Sequence, residues 1–187
     1  MLQNILDFIG NDPFIYISFG SAANIARGPK YLQDKFIQAF TKMKDMKFVW
    51  KYEGERTPEI PSNVFIAKWM PQQDILGILI ISTEAYLKFA ILSCAQLNLA
   101  QPNIVAFITH GGLLGMQEAV FRAVPMIAIP VFAEQDYNSE RLERMGRGLT
   151  LDLVSFTASE LENAIHRIYH EKRFAKSDFS IKDRKMY

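Results

Sequence analysis

At 187 residues the chain has the length of one domain and is large enough for a full hydrophobic core. Its composition, 49% hydrophobic, 22% charged and 12% aromatic, excludes a disordered or fibrous protein, and a net charge of +1 gives no electrostatic reason to expect a nucleic acid partner. A single cysteine, Cys94, excludes an internal disulfide, and no apolar run reaches the roughly 18 residues that a membrane span needs.

Residues 1–13 carry Asn4, Asp7, Asn11 and Asp12 and lack the basic start and apolar run of a secretory leader. Phe14 to Ser18 reads as the first strand, ending in the turn Phe19-Gly20-Ser21. Lys30 to Met43 is an amphipathic helix with Leu32, Phe36, Ile37 and Phe40 on one face. Lys47 to Tyr52 is strand-like, Gly54 to Pro61 is a polar loop bounded by proline, and Val64 to Ala67 is a further short strand leading to Lys68-Trp69. Pro71 sits in the first turn of a short helix, where a missing N–H costs little.

The stretch from Phe107 to Gln135, FITHGGLLGMQEAVFRAVPMIAIPVFAEQ, organises the rest. Ile104 to Thr109 is a β-branched apolar run of the kind that forms a buried parallel strand. It ends in His110-Gly111-Gly112, where glycine permits a tight turn and the close approach of a ligand to the backbone. Leu113, Met116, Ala119, Val120 and Ala123 then recur at helical spacing, Pro125 closes the helix, and Met126 to Ile129 reads as the next strand. This βαβ unit places a helix N-terminus, with free backbone N–H groups, at the end of a parallel strand, where α/β sheets bind anions.

Glu134 to Met145 reads as a helix, Leu149 to Leu153 as a strand, and Ala158 to His170 as a helix capped by Thr157 or Ser159. The chain from Lys172 to Tyr187 is basic and polar and is expected to be a solvated tail or a severed helix. The repeated β-α-β alternation predicts an α/β fold with a doubly wound, Rossmann-like parallel sheet covered on both faces. His166 and His170 stand four apart on the last helix without a third ligand, so no metal role is assigned to them.

Together with Trp69-Met70-Pro71-Gln72, the central stretch resembles the signature of the UDP-glycosyltransferases, in the form found in animal glucuronosyltransferase-like enzymes. The resemblance implies the C-terminal, donor-binding lobe of a two-lobed GT-B fold over residues 1–187. It implies that Trp69 stacks on uracil, Gln72 bonds the uridine and Glu118 takes the ribose hydroxyls. The diphosphate would lie on Gly112 to Gly115 with Ser21 and His110 near it. Where plant members have an Asn and a Ser, this sequence has Leu114 and Gly115, leaving only backbone donors there. Glu134 and Gln135 would hold the sugar. With no Lys or Arg in the loop, the diphosphate charge falls to backbone N–H groups, the helix dipole and His110.

No Asp-x-Asp occurs, so neither a metal nor another cofactor is expected beside the UDP-sugar. Inverting transfer needs a base, which the family carries on a histidine of the N-terminal lobe, so no catalytic residue is assigned here. The expected function is sugar transfer from a UDP-sugar to a small lipophilic acceptor held by that other lobe, with the present chain inactive alone. Family members carry a leader and a membrane anchor and reside in the endoplasmic reticulum, so their absence from this sequence suggests a fragment or a truncated gene model. The alternative function is a non-catalytic module that forms homo- or hetero-oligomers with full-length members. A dinucleotide oxidoreductase is set aside because Phe19-Gly20-Ser21 stands where its Gly-x-Gly-x-x-Gly would begin.

Gly77 to Leu99 has no counterpart in the family pattern. Joining Leu76 to Ala100 restores that pattern without a gap, so the segment is expected to be translated intron or a gene-model error. The rival reading is a lineage-specific insertion.

Overall fold

The computed structural model describes residues 1–21, 23–77 and 103–174. The atypical segment beyond Gly77 and the tail beyond Phe174 lie outside the described residues. Among the described residues six strands form one parallel sheet: β1 (Phe14–Ser18), β2 (Lys47–Lys51), β3 (Val64–Ala67), β4 (Ile104–Thr109), β5 (Met126–Ala128) and β6 (Gly148–Thr150). Their order is β3-β2-β1-β4-β5-β6, with every neighbouring pair parallel. The doubly wound expectation is therefore met. The chain order reverses between β1 and β4, which sit side by side with Ser18 opposite Thr109. At such a switch point the loops leaving the two strands turn to opposite faces and leave a crevice.

Among the described residues six α-helices flank the sheet: α1 (Leu2–Ile9), α2 (Lys30–Lys42), α3 (Gln72–Ile75), α4 (Leu113–Phe121), α5 (Gln135–Arg144) and α6 (Ala158–His170). On one face Leu32, Phe36 and Phe40 of α2 and Leu161 and Ile165 of α6 pack with Ile15, Ile17, Phe48 and Trp50. On the other, Ile5 and Ile9 of α1, Ile75 of α3, Met116 and Val120 of α4 and Leu142 of α5 pack with Tyr16, Val49 and Phe107. Alternation along β1 thus sends Ile15 and Ile17 one way and Tyr16 and Ser18 the other.

Several boundaries differ from the sequence reading. Residues 2–9, read above only for a leader, form α1, whose Leu2, Ile5, Leu6 and Ile9 share a face and which stops at Gly10 with φ 53°. Strand β6 ends at Thr150 rather than at Leu153. Leu151 still donates to the Ala128 carbonyl, but Asp152 then accepts from Val154 N, Ser155 N and Ser155 Oγ and turns the chain away. Helix α5 starts one residue late, with Glu134 as its N-cap. Pro71 likewise precedes α3 as its N-cap instead of lying in its first turn. Thr157, not Ser159, caps α6, in a capping box with Glu160. The expected tail begins with a short 3-10 turn, Lys172–Phe174, whose Phe174 is buried in the core.

Candidate functional site

The crevice is bounded by two glycine turns. After β1 the chain passes through Gly20, at φ 67°, to the exposed Ser21. After β4 it passes through His110 and Gly111, at φ 83°, to Gly112, the N-cap of α4. The His110 ring lies between the two turns. A Cβ on Gly20 would stand 3.0 Å from its Cε1, and one on Gly112 would collide with its Nε2. Gly111 is required for a third reason, since a Cβ there would stand 2.7 Å from Ser139 Oγ on α5.

No side chain caps α4, and no acidic residue stands in its first turn. Its first N–H groups and the positive end of its dipole therefore point outward at the crevice. Leu114 is 76% exposed, so this turn presents backbone and an apolar side chain to whatever binds. Gly115 leaves room for its neighbours: a Cβ there would lie 3.4 Å from Gln72 Nε2 and 3.6 Å from the Phe107 ring.

His110 is half-buried, and burial holds its pKa below the usual imidazole value. Nearby Glu134 pulls it up and Lys51 pushes it down. The imidazole is consequently neutral at physiological pH, a donor through one nitrogen and an acceptor through the other. Lys51 is a residue the sequence reading missed. It ends β2, next to β1 in the sheet, and its Nζ donates to the Gly20 carbonyl at 2.7 Å. The first loop thus has an ammonium group behind it, so the charge of the crevice does not rest on backbone and histidine alone.

A second group of residues gathers along α3 and α4. Trp69, three positions before Gln72, is 65% exposed, which removes a core role for it. Gln72 Nε2 donates to Glu118 Oε2 at 2.7 Å, and Gln73 Nε2 donates to Glu118 Oε1 at 3.0 Å. From below, the Tyr16 hydroxyl donates to Gln72 Oε1 at 3.4 Å. Glu118 is accordingly a held carboxylate and not a freely solvated one.

The loop after β5 completes the rim. Glu134 is exposed, whereas Gln135 is buried and its Oε1 accepts from Val131 N at 2.9 Å and Phe132 N at 3.2 Å. Asn138, buried on α5, donates to the Gly111 carbonyl at 3.0 Å and ties this helix to the histidine turn. It too was missed, since neither its spacing nor its type distinguishes it from an ordinary helix asparagine. His166 and His170 are exposed on α6, and no group of three metal-ligating side chains occurs among the described residues.

The sequence model of one family matches this chain over residues 3–90 and 95–181, under the description UDP-glucoronosyl and UDP-glucosyl transferase. The chain belongs to the UDP-glycosyltransferase family. The match takes in the segment Gly77 to Leu99, expected to lie outside the family pattern, except for residues 91–94. A UDP-glycosyltransferase of Dactylopius coccus is 34% identical over 177 residues, 94% of this chain and 29% of that protein. UDP-glucuronosyltransferase 1A9 of Mus musculus is 32% identical over 126 residues, 67% of this chain and 20% of that protein. The chain therefore spans less than a third of the length of these relatives.

Among solved structures, a Medicago truncatula glycosyltransferase complexed with UDP-glucose superposes with a TM-score of 0.71 at 18% identity, covering 98% of this chain and 38% of that one. An Oryza sativa glycosyltransferase in complex with UDP gives 0.70 at 16% identity, covering 100% and 37%. The fold is thus that of one lobe of these glycosyltransferases. No helix among the described residues is long and apolar enough to cross a membrane.

Proposed function

We propose that this chain is the donor-binding half of a UDP-glycosyltransferase, with the UDP-sugar lying across the C-terminal ends of β1 and β4. One observation carries the reading. The uncapped N-terminus of α4 and the Gly20–Ser21 turn meet around the half-buried His110 at the switch point of the sheet, an arrangement of N–H donors that suits a diphosphate. Uracil stacks on Trp69 and bonds Gln72, while the ribose hydroxyls donate to Glu118. The diphosphate takes the backbone N–H groups of Gly112 to Gly115 with Ser21 and one N–H of His110, and no metal is needed. The sugar meets Glu134 and the Nε2 of Gln135, whose Oε1 is already engaged.

The complete enzyme transfers a hexose or hexuronic acid, with inversion, to the hydroxyl of a small lipophilic acceptor. That step needs a base on the acceptor side. His110 is engaged with the donor, so the base belongs to the acceptor lobe, and this chain alone binds without turning over. By kinship the complete enzyme is assigned to the endoplasmic reticulum.

Thermal unfolding of the chain with UDP, and separately with ADP, tests the reading. UDP at about a hundred times its dissociation constant should add about 2.7 kcal/mol of stability. An absent shift, or an equal one with ADP, would contradict it.

A further inference from the structure

We infer that Gln73 is a positioning residue for the nucleotide site: with Gln72 it clamps both oxygens of Glu118 so that the carboxylate is set to receive a vicinal diol. This rests on the nucleotide reading of the site given above. The clamp has three parts. Gln72 Nε2 takes Oε2 at 2.7 Å, and Gln73 Nε2 takes Oε1 at 3.0 Å. The Tyr16 hydroxyl, below, holds Gln72 Oε1 inward and so turns the Gln72 amide toward Glu118.

Each part has a reason to stay in place. Gln72 and Gln73 are adjacent on the single turn of α3, which is anchored by buried Ile75 and Leu76. Glu118 lies on α4, so the two amides bridge elements 45 and 46 positions apart in sequence. Tyr16 is fully buried and stacked on Phe107 with ring centroids 5.2 Å apart. Burial and the charge of Glu118 raise its pKa, so its phenol remains a proton donor.

The clamp leaves the carboxylate half used. An ionised carboxylate offers about four acceptor positions, and two amides fill about half of them. Two adjacent hydroxyls, presented together, fill the remainder. A single hydroxyl leaves one position empty. Discrimination between a ribose and a deoxyribose nucleotide therefore depends on the orientation that Gln73 imposes, although Gln73 itself touches no ligand.

The experiment is calorimetric titration of the full chain with UDP and with 2′-deoxy-UDP, for the wild type, Gln73→Ala, Gln73→Glu and Tyr16→Phe. Gln73 is exposed, and phenylalanine retains the stacking of Tyr16, so these proteins should fold. Wild type should prefer UDP. Gln73→Ala should weaken UDP about fivefold and 2′-deoxy-UDP less than about twofold, so that the preference narrows. Gln73→Glu, which sets a second carboxylate against Glu118, should weaken UDP further, and Tyr16→Phe should narrow the preference in the same sense. A general loss of packing would weaken both ligands alike. If Gln73→Ala keeps the wild-type preference, or wild type shows none, the inference is overturned while UDP binding still supports the nucleotide site. If wild type binds no UDP at all, the nucleotide reading itself fails and the clamp falls with it.

Discussion

The imidazole of His110 rests directly against Gly20, with 3.0 Å between its Cε1 and the place where a Cβ would stand. The two residues come from the strands on either side of the switch point, so their contact closes the floor of the crevice. Gly20 also sits at φ 67°, which an L side chain adopts only with strain. Gly20→Ala should therefore cost about 1–2 kcal/mol of stability and move the His110 ring. Chemical denaturation, together with loss of UDP affinity, checks both effects.

The protonation of His110 gives a pH dependence with a definite sign. Its folded pKa lies below the ordinary value of about 6.5, chiefly because of burial. As pH falls through that ordinary value the unfolded chain takes up a proton that the folded chain refuses, so stability declines on the acid side and levels off below the folded pKa. His110→Gln should flatten this part of the stability profile. In an NMR titration of the imidazole, Lys51→Met should raise the midpoint by removing a cation, and Glu134→Gln should lower it by removing an anion.

Trp69 separates binding from folding. Because the side chain is 65% exposed, Trp69→Ala should change stability by less than about 0.5 kcal/mol. If it stacks on a base, the same change should weaken UDP by about 1–3 kcal/mol. Thermal unfolding and calorimetry on one preparation decide the point, and a tryptophan whose loss affects neither would not be a base platform.

Asn138 gives the opposite pattern. Its amide serves the Gly111 carbonyl from inside the protein. Asn138→Leu would leave that carbonyl without its partner and should cost about 1–3 kcal/mol, with weaker UDP binding following from a displaced histidine turn. Denaturation with and without UDP would show both losses.

Local signals carried much of the fold. The run Ile104 to Thr109, the glycine pair and the helical spacing after Leu113 lie within one βαβ unit, and each was legible because its cause is a neighbour in sequence. The end of β6 has an equally local cause, the turn that Asp152 makes with Val154 and Ser155, but the apolar run through Leu153 hides it. Helix α1 is legible in the apolar stripe of Leu2, Ile5, Leu6 and Ile9, which recurs at helical spacing. The remaining site residues are non-local. Lys51 reaches Gly20 across a strand pair, Asn138 reaches Gly111 from another helix, and Gln73 meets Glu118 across 45 positions. No spacing rule along the chain encodes such meetings. The strand order, which places β2 beside β1, accounts for the first of them, and the other two depend on how the helices pack.

The most direct test of nucleotide binding at the switch point is a backbone amide NMR titration of the chain with UDP. Saturable shifts concentrated at Gly20, Ser21 and Gly112 to Met116, with the indole N–H of Trp69, are the predicted result. Saturable shifts elsewhere in the chain, or none in this set, would contradict it.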